Sequence, residues 1–133
     1  MAQSTEILPN GLQLLQDDRF FKLGQDSVLL SAFAKPRRNA KLLDLGCGTG
    51  ALALLVWRPD LKITGLELQD GPLDLFRQSI TANELENVTA LQGDLRQMRT
   101  LLPHGSMDYV ICNPPYFDRN AGANAPTAEK RTA

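Results

Sequence analysis

The stretch that decides the fold is "LLDLGCGTG", residues 42–50, where an apolar run gives way to three glycines separated by single residues. The apolar residues before Gly46 predict a buried β-strand, and "ALALLVWR" after Gly50 predicts a helix that stops at Pro59. Glycines permit a tight turn, so a G-x-G-x-G turn lets the backbone approach a ligand closely at a helix N-terminus. We therefore predict a ligand-binding turn between a strand and a helix.

The alternation of strand and helix continues along the chain. The segments "KITGLEL", "NVTALQGDL" and "MDYVIC" predict three further strands, and "LDLFRQSITANEL" and "LRQMRTLL" predict the helices between them. Parallel neighbours need crossover connections, so this order predicts an α/β fold with a parallel sheet flanked by helices. Ligands of such sheets bind at the carboxyl ends of the strands.

The segment before the first of these strands predicts a hairpin and then a short helix. In "ILPNGLQLLQDDRFF", the turn signal "PNG" separates two apolar runs and favours a small β-hairpin. In "GQDSVLLSAFA", Asp26 or Ser27 is a candidate N-cap of a helix that ends before Pro36. The apolar stripe of that helix is Leu29, Leu30 and Phe33. The predicted division of the chain is a lead-in over 1–39, a core over 40–117 and a loop or disordered tail over 118–133.

Composition limits the possible classes of protein. With 133 residues, of which 43% are hydrophobic, the chain suits one globular domain, and its formal charge of −1 gives no electrostatic argument for a polyanionic partner. Without a signal segment or a long apolar run, we expect a soluble cytoplasmic protein with no membrane segment. Cys47 and Cys112 are expected to be buried small hydrophobic residues, His104 is expected to be a solvated turn residue, and no metal is expected.

The ends of the next two strands carry acids that suit an adenosine ligand. Glu67 ends the second strand, where a carboxylate can accept hydrogen bonds from both hydroxyls of a ribose. Asp94 ends the third strand and can accept a hydrogen bond from the exocyclic amine of an adenine, while Leu68 and Leu95 can flank the ring. Taken singly, each acid is as well explained as a helix N-cap. Together with the glycine turn, they predict an adenosine pocket.

This combination, with "NPPY" at residues 113–116, resembles the class I S-adenosylmethionine-dependent methyltransferases. The resemblance implies a Rossmann-like sheet, S-adenosyl-L-methionine as cofactor, and transfer of a methyl group to a nitrogen in a planar system. The cofactor-binding residues that it implies are Asp44, Gly46, Gly48, Gly50, Glu67, Leu68, Asp94 and Leu95. The implied catalytic residues are Asn113, Pro114, Pro115 and Tyr116.

The chemistry of nitrogen methylation explains why an amide should follow a strand end. An exocyclic amine is a poor nucleophile because its lone pair is delocalised into the ring. Acceptance of its two N–H groups by the Asn113 side-chain oxygen and the Pro114 carbonyl would point the lone pair at the methyl group. Pro114 and Pro115 would stiffen the loop, and Tyr116 would offer a face for a base taken out of its stack. No strong general base is required.

The lead-in resembles that of the bacterial enzymes that methylate the exocyclic amine of the adenine next to the anticodon of a valine tRNA. This implies a tRNA substrate and adenine N6 as the target, with Gln25, Asp26 and Ser27 near the methionine end of the cofactor. Two alternatives remain open: a glutamine-N5 methyltransferase acting on release factors, and a non-catalytic cofactor-binding fragment. A nicotinamide oxidoreductase is disfavoured, since its dinucleotide fingerprint is G-x-G-x-x-G.

The sequence departs from the family in length. It ends soon after Tyr116, whereas the family's sheet continues through three more strands. We therefore expect a sheet truncated after its fourth strand, with that strand as an exposed edge, and interpret the sequence as the amino-terminal part of a longer protein.

Overall fold

The structure is a computed structural model that describes residues 3–20, 25–103 and 105–113. Its strands are β1 (Gln3–Ile7), β2 (Gln13–Asp17), β3 (Lys41–Leu45), β4 (Lys62–Glu67), β5 (Val88–Gln92) and β6 (Tyr109–Cys112). Its α-helices are α1 (Gln25–Phe33), α2 (Ala51–Leu55), α3 (Asp70–Ala82) and α4 (Met98–Leu101), the last preceded by a 3₁₀ turn at Leu95–Gln97.

The main sheet has four strands in the order β5-β4-β3-β6, and every neighbouring pair is parallel. In the register of β3 with its neighbours, Asp44 lies between Gly65 of β4 and Ile111 of β6. The predicted α/β architecture with a parallel sheet is therefore confirmed. Because the four strands run the same way, their carboxyl ends meet at one edge of the sheet.

Helices cover both faces of the sheet. On one face, Leu42 and Ile63 belong to a core with Leu54 of α2 and Phe76 of α3, all at most 1% exposed. On the opposite face, a Cβ atom placed on Gly93 would meet the side chains of Leu66 and Leu101, the latter from α4. The helix predicted after β4 is confirmed as α3; it begins at Asp70, which places Pro72 in its first turn. Pro72 is tolerated there because the first helical turn leaves its N–H groups unpaired.

The predicted hairpin is also confirmed, as the antiparallel pair β1 and β2. Leu14 is fully buried and belongs to the same core as the sheet. The backbone N–H and C=O groups of β2 that face away from β1 bond to side chains of α3 and of its C-cap residue. The Asn83 amide accepts a hydrogen bond from the Gln13 N–H at 2.8 Å and donates one to the Gln13 carbonyl at 2.7 Å, and Ser79 Oγ accepts one from the Leu15 N–H at 2.8 Å. The hairpin is thus attached to α3 through the backbone groups of β2 that would otherwise bond to a third strand.

Helix α1 differs from its prediction in two ways. It begins at Gln25, so Asp26 and Ser27 lie in its first turn and not at the N-cap. The predicted apolar stripe is wrong in part, because Leu29 and Phe33 are 50% and 79% exposed. The inner face has instead Ser27, which is 8% exposed, and Leu30, which packs against the core together with Ala34 just after the helix end; the three follow an i, i+3, i+7 spacing.

Strand β6 is an edge of the four-stranded sheet within the described residues, as the sequence predicts. Its side chains alternate, so that Ile111 is 6% exposed while Val110 on the other face is 54% exposed. Cys112 is exposed for the same reason, and the prediction that both cysteines are buried is wrong for this one. No helix in the described ranges has the length and apolar character needed to span a bilayer. His104 lies outside the described residues.

We predict that Asn83→Ala lowers the free energy of unfolding by about 1–2 kcal/mol, because two backbone groups of β2 lose their partner. Urea unfolding followed by circular dichroism would measure the change. The matched control is Gln78→Ala, since Gln78 is an exposed amide of α3 that bonds to Asp74 one turn earlier and not to β2 in the described residues. Equal destabilisation by the two substitutions would contradict the attachment of the hairpin through Asn83.

Candidate functional site

The glycines of the turn after β3 are needed for two different reasons. Gly46, Gly48 and Gly50 have φ values of 64°, 56° and 89°, in the left-handed region that favours glycine. A Cβ atom on Gly50 would lie 2.1 Å from the ring of Phe76, whereas one on Gly46 or Gly48 would have no neighbour within 4 Å. Gly50 is therefore required for packing, and the open space beside Gly46 and Gly48 leaves their backbone accessible to a ligand.

Glu67, at the end of β4, is held against this turn. Its Oε1 accepts a hydrogen bond from the Gly48 N–H at 2.8 Å, and its Oε2 accepts one from the Gln69 N–H at 2.9 Å. The turn is also tied to β4 by the Cys47 N–H, which donates to the Leu66 carbonyl at 3.0 Å. Each carboxylate oxygen retains a further acceptor position for a ligand hydroxyl. The structure thus brings the predicted glycine turn and the predicted ribose-binding acid together.

Asp94 follows β5 and lies next to the end of β4, where the Gly93 N–H donates to the Glu67 carbonyl at 3.1 Å. Its side chain caps the 3₁₀ turn by accepting from the Arg96 N–H at 2.9 Å, and its Oδ2 pairs with the Arg96 guanidinium at 2.6 Å. That guanidinium lowers the pKa of Asp94 to about 2. The helix-capping interpretation of Asp94 is therefore confirmed, while its contact with an adenine stays a prediction.

Two large apolar side chains stand exposed beside these acids. Leu68 directly follows β4 and Leu95 follows Asp94, and they are 59% and 54% exposed. Because β4 and β5 are adjacent and parallel, both leucines lie at the carboxyl edge of the sheet. A bound aromatic ring needs apolar side chains against its faces, and exposed leucines next to polar strand ends can supply them.

Asp44, one of the predicted cofactor-binding residues, lies inside β3. It is 1% exposed, one oxygen accepts a hydrogen bond from the Ala53 N–H, and Oδ2 has no partner in the part of the chain that the structure describes. Burial raises the pKa of Asp44 from its ordinary 3.8 to about 8, with a smaller contribution from the charge of Glu67. A buried acceptor without a donor is costly, which is characteristic of a functional site.

The thiol of Cys47 lies beside this acid. Cys47 is buried, and burial, together with the neighbouring Asp44 and Glu67, raises the pKa of its thiol well above the ordinary value. Among the described ranges, no three His, Cys, Asp or Glu side chains are grouped so that they could hold a metal ion.

Asn113 directly follows β6 and is half-buried. Its side-chain Nδ2 donates a hydrogen bond to Ser27 Oγ of α1 at 2.8 Å. The predicted residues Pro114, Pro115 and Tyr116 lie outside the described residues, as does the side chain of Gln25, and Asp26 is exposed. The pairing of Ser27 with Asn113 joins residues 86 positions apart, and no spacing in the sequence indicates it.

Comparison with known proteins assigns the family. The methyltransferase small domain matches residues 24–129. The chain belongs to the methyltransferase small domain family. The "tRNA1(Val) (adenine(37)-N6)-methyltransferase" of Pseudoalteromonas translucida (strain TAC 125) is 34% identical over 105 residues, which are 77% of this chain and 44% of that protein. The enzyme of the same name from Yersinia pestis (strain Pestoides F) is 32% identical over 100 residues, 72% of this chain and 40% of that protein.

Solved structures agree with the fold. The tRNA (uracil-54, C5)-methyltransferase of Pyrococcus abyssi, solved in complex with S-adenosyl-L-homocysteine, superposes with a TM-score of 0.66 at 15% identity. The match covers 86% of this chain and 29% of that chain. The predicted methyltransferase fold and family are therefore confirmed, and this chain of the methyltransferase small domain family spans less than half the length of the two curated relatives.

We predict that Gly50→Ala destabilises the protein more than Gly46→Ala. Both substitutions incur the left-handed backbone penalty of about 1–2 kcal/mol, but only the first adds overpacking against Phe76, which typically costs a further ~1–3 kcal/mol. Urea unfolding of the two variants would measure the difference. Equal costs would mean that the ring of Phe76 moves aside without loss.

We predict that Asp44→Asn removes a pH dependence of stability. The folded pKa of Asp44 is raised, so between about pH 4 and about pH 8 the folded protein retains a proton that the unfolded chain releases. The stability of the unsubstituted protein should therefore decrease as the pH rises through this window, by up to about 1.4 kcal/mol per pH unit.

The asparagine keeps an oxygen for the Ala53 N–H and cannot ionise. Urea unfolding at pH 5, 6.5 and 8 should therefore show the stability of Asp44→Asn rising relative to the unsubstituted protein as the pH increases. Thr81→Ala, at an exposed position of α3 that has no titratable group, is the control and should keep a constant difference. A constant difference for Asp44→Asn as well would show that the carboxyl group ionises normally in the folded protein.

Proposed function

We propose that this chain is the cofactor-binding and NPPY-bearing part of an S-adenosylmethionine-dependent methyltransferase that modifies the N6 amine of an adenine in tRNA. The observation that carries the proposal is the order of four strand ends along one edge of the sheet. Across β5, β4, β3 and β6, that edge presents Asp94, Glu67, the glycine turn and Asn113 in sequence. A nucleoside cofactor can lie along the first three, with the acceptor amine at the fourth.

The residues present fit the cofactor. Glu67 accepts the ribose hydroxyls beside the open backbone of Gly46 and Gly48, while Leu68 and Leu95 pack on the adenine ring. Asp94 accepts from the adenine amine with the lone pairs that Arg96 leaves unused. The unpaired Oδ2 of Asp44 can receive the cofactor's ammonium group, whose charge favours the ionised carboxylate over the protonated form of the free protein. When bound, S-adenosylmethionine supplies an electrophilic methyl group on its sulfonium.

Asn113 serves to orient the target amine. Its Oδ1 accepts one N–H of the amine, and the Pro114 carbonyl accepts the other, so that the nitrogen lone pair points along the path of transfer. Correct positioning of two reactants supplies up to about 7–11 kcal/mol of a barrier in favourable cases. A basic side chain is not needed at this position, since the nitrogen loses its proton readily only after it has gained the methyl group.

The names of the curated relatives support adenine in tRNA over the other acceptors. A release-factor glutamine presents a planar amide with the same geometric problem, and it is therefore the competing substrate to test. The proposal includes a cytoplasmic location, where tRNA is modified, and a division into a lead-in over 1–39, a cofactor-binding core over 40–117 and a tail over 118–133.

The first experiment is a calorimetric titration of the chain with S-adenosylmethionine, and the second is transfer of a labelled methyl group from it to unmodified tRNA or to a Gly-Gly-Gln peptide. We expect saturable binding that Asp94→Ala weakens and that Asp74→Ala, at an exposed position of α3, does not. A folded chain that does not bind the cofactor would refute the pocket. Label in the peptide alone would refute the tRNA substrate.

We predict that Asn113→Ala lowers the rate of methyl transfer about 100-fold, the loss typical of a misplaced reactant. Cofactor affinity should stay within about twofold, because the Asn113 oxygen faces the amine and not the cofactor. Single-turnover kinetics with saturating cofactor would measure the rate, and calorimetry the affinity. A parallel loss of affinity and rate would instead assign Asn113 to the cofactor pocket.

A further inference from the structure

We propose that Ser27 is a positioning residue that fixes the side-chain amide of Asn113 with its oxygen, and not its nitrogen, available to the target amine. The proposal rests on the proposed function, since it assigns to Asn113 the role of acceptor. The observation that carries it is the hydrogen bond from Asn113 Nδ2 to Ser27 Oγ at 2.8 Å.

The two ends of an asparagine amide have opposite hydrogen-bonding character. The oxygen accepts, whereas the nitrogen carries two N–H donors. The target amine donates N–H groups, so the amide oxygen can hold it, whereas the amide nitrogen repels it. A rotation of the amide by half a turn would therefore change Asn113 from an orienting group to an obstructing one. The enzyme needs a neighbour that distinguishes the two orientations.

Ser27 is suited to this task by its place on α1. Serine hydroxyls in helices commonly donate their hydrogen to a carbonyl three or four residues earlier, as Ser31 does to the Val28 carbonyl at 2.7 Å. In the hydrogen bond with Asn113, Ser27 Oγ is the acceptor, so its lone pairs face the amide. Lone pairs attract the Nδ2 end of the amide and leave Oδ1 on the other side.

The two partners differ in how firmly the fold holds them. Ser27 is 8% exposed and lies on the inner face of α1, where Leu30 and Ala34 pack against the core. Asn113 is half-buried at the end of the edge strand β6, and Ser27 is the side-chain partner that the described ranges give it. Through this hydrogen bond, the packed helix α1 restrains the side chain of Asn113 at the end of an exposed strand.

This role differs from the one that family resemblance implies, in which residues 25–27 lie near the methionine end of the cofactor. A cofactor contact would change cofactor affinity. A positioning residue would change the rate of methyl transfer and leave cofactor affinity unchanged. The two roles are therefore separable by measurement.

The experiment compares Ser27→Ala, Ser27→Thr and the control Ser31→Ala in the full chain. We expect Ser27→Ala to lower the rate of methyl transfer to tRNA about 10- to 100-fold, with cofactor affinity within about twofold. Ser27→Thr retains a hydroxyl and should recover at least part of the rate. Ser31→Ala should change neither quantity, because that hydroxyl bonds to its own helix. A loss of affinity that accounts for the loss of rate would overturn the proposal.

A second background isolates the amide. In Asn113→Asp both ends of the side chain are oxygens, so there is no orientation left to select. The rate penalty of Ser27→Ala should therefore shrink to about twofold or less in that background, a non-additivity expected of coupled residues. An undiminished penalty in Asn113→Asp would overturn the proposal.

A spectroscopic readout tests the contact without any turnover. The side-chain amide resonances of Asn113 are identified by their absence in Asn113→Asp. Ser27→Ala should shift them and speed their exchange with solvent, whereas Ser31→Ala should leave them in place. These resonances decide the contact whether or not the unsubstituted chain methylates tRNA, so failure of the Ser27 proposal is distinguishable from failure of the proposed function. Side-chain amide resonances of Asn113 that do not change in a folded Ser27→Ala variant would overturn the Ser27 proposal alone.

Discussion

The rest of the structure depends on the close contact of the Phe76 ring with two glycines. A Cβ atom on Gly50 would lie 2.1 Å from that ring, and one on Gly65 would lie 2.4 Å from it. Helix α3 can therefore approach the turn after β3 and the middle of β4 this closely only because both positions are glycine. Phe76 is fully buried. One aromatic side chain thus fixes the distance between helix and sheet and the path of the turn, and the site is built on elements that this contact holds in place.

A series of backbone hydrogen bonds then joins neighbouring strand ends. The Cys47 N–H donates to the Leu66 carbonyl, the Gly48 N–H to the Glu67 carboxylate and the Gly93 N–H to the Glu67 carbonyl. Glu67 is bonded from both sides and is the common member. Loops at the carboxyl edge of a parallel sheet are usually its most mobile part, but these are bonded to one another. The geometry that a nucleoside would meet is therefore largely formed in advance, which lowers the cost of binding.

Sequence reasoning predicted the features of the fold that depend on local pattern. The strand before Gly46 follows from its apolar run, and the left-handed turn follows from glycine spacing. The orientation of α1 could not be predicted, because Leu29 and Leu30 are equally apolar and only tertiary packing decides which one faces inward. The exposure of Cys112 could not be predicted either, because the apolar pattern does not decide which face of the predicted edge strand packs against the core.

The site was predicted less completely, since polar side chains select partners that lie far away in the sequence. Glu67 was expected to meet a ribose, and its bond to the Gly48 N–H adds a structural role to that expectation. The capture of Asp94 by Arg96 is local and was visible as the N-cap alternative. The bond between Ser27 and Asn113 has no counterpart in the pattern at all, because it connects the lead-in helix with the last described strand.

The pairing of Asp94 with Arg96 is compatible with a ligand site rather than opposed to it. The Arg96 side chain is 86% exposed and that of Asp94 is 20% exposed, and exposed ion pairs contribute little to stability. The low pKa keeps Asp94 ionised, so it is purely an acceptor at neutral pH. The backbone cap holds one oxygen in place whether or not the guanidinium stays. A ligand donor can thus share or replace the Arg96 side chain without disturbing the turn that orients the acid.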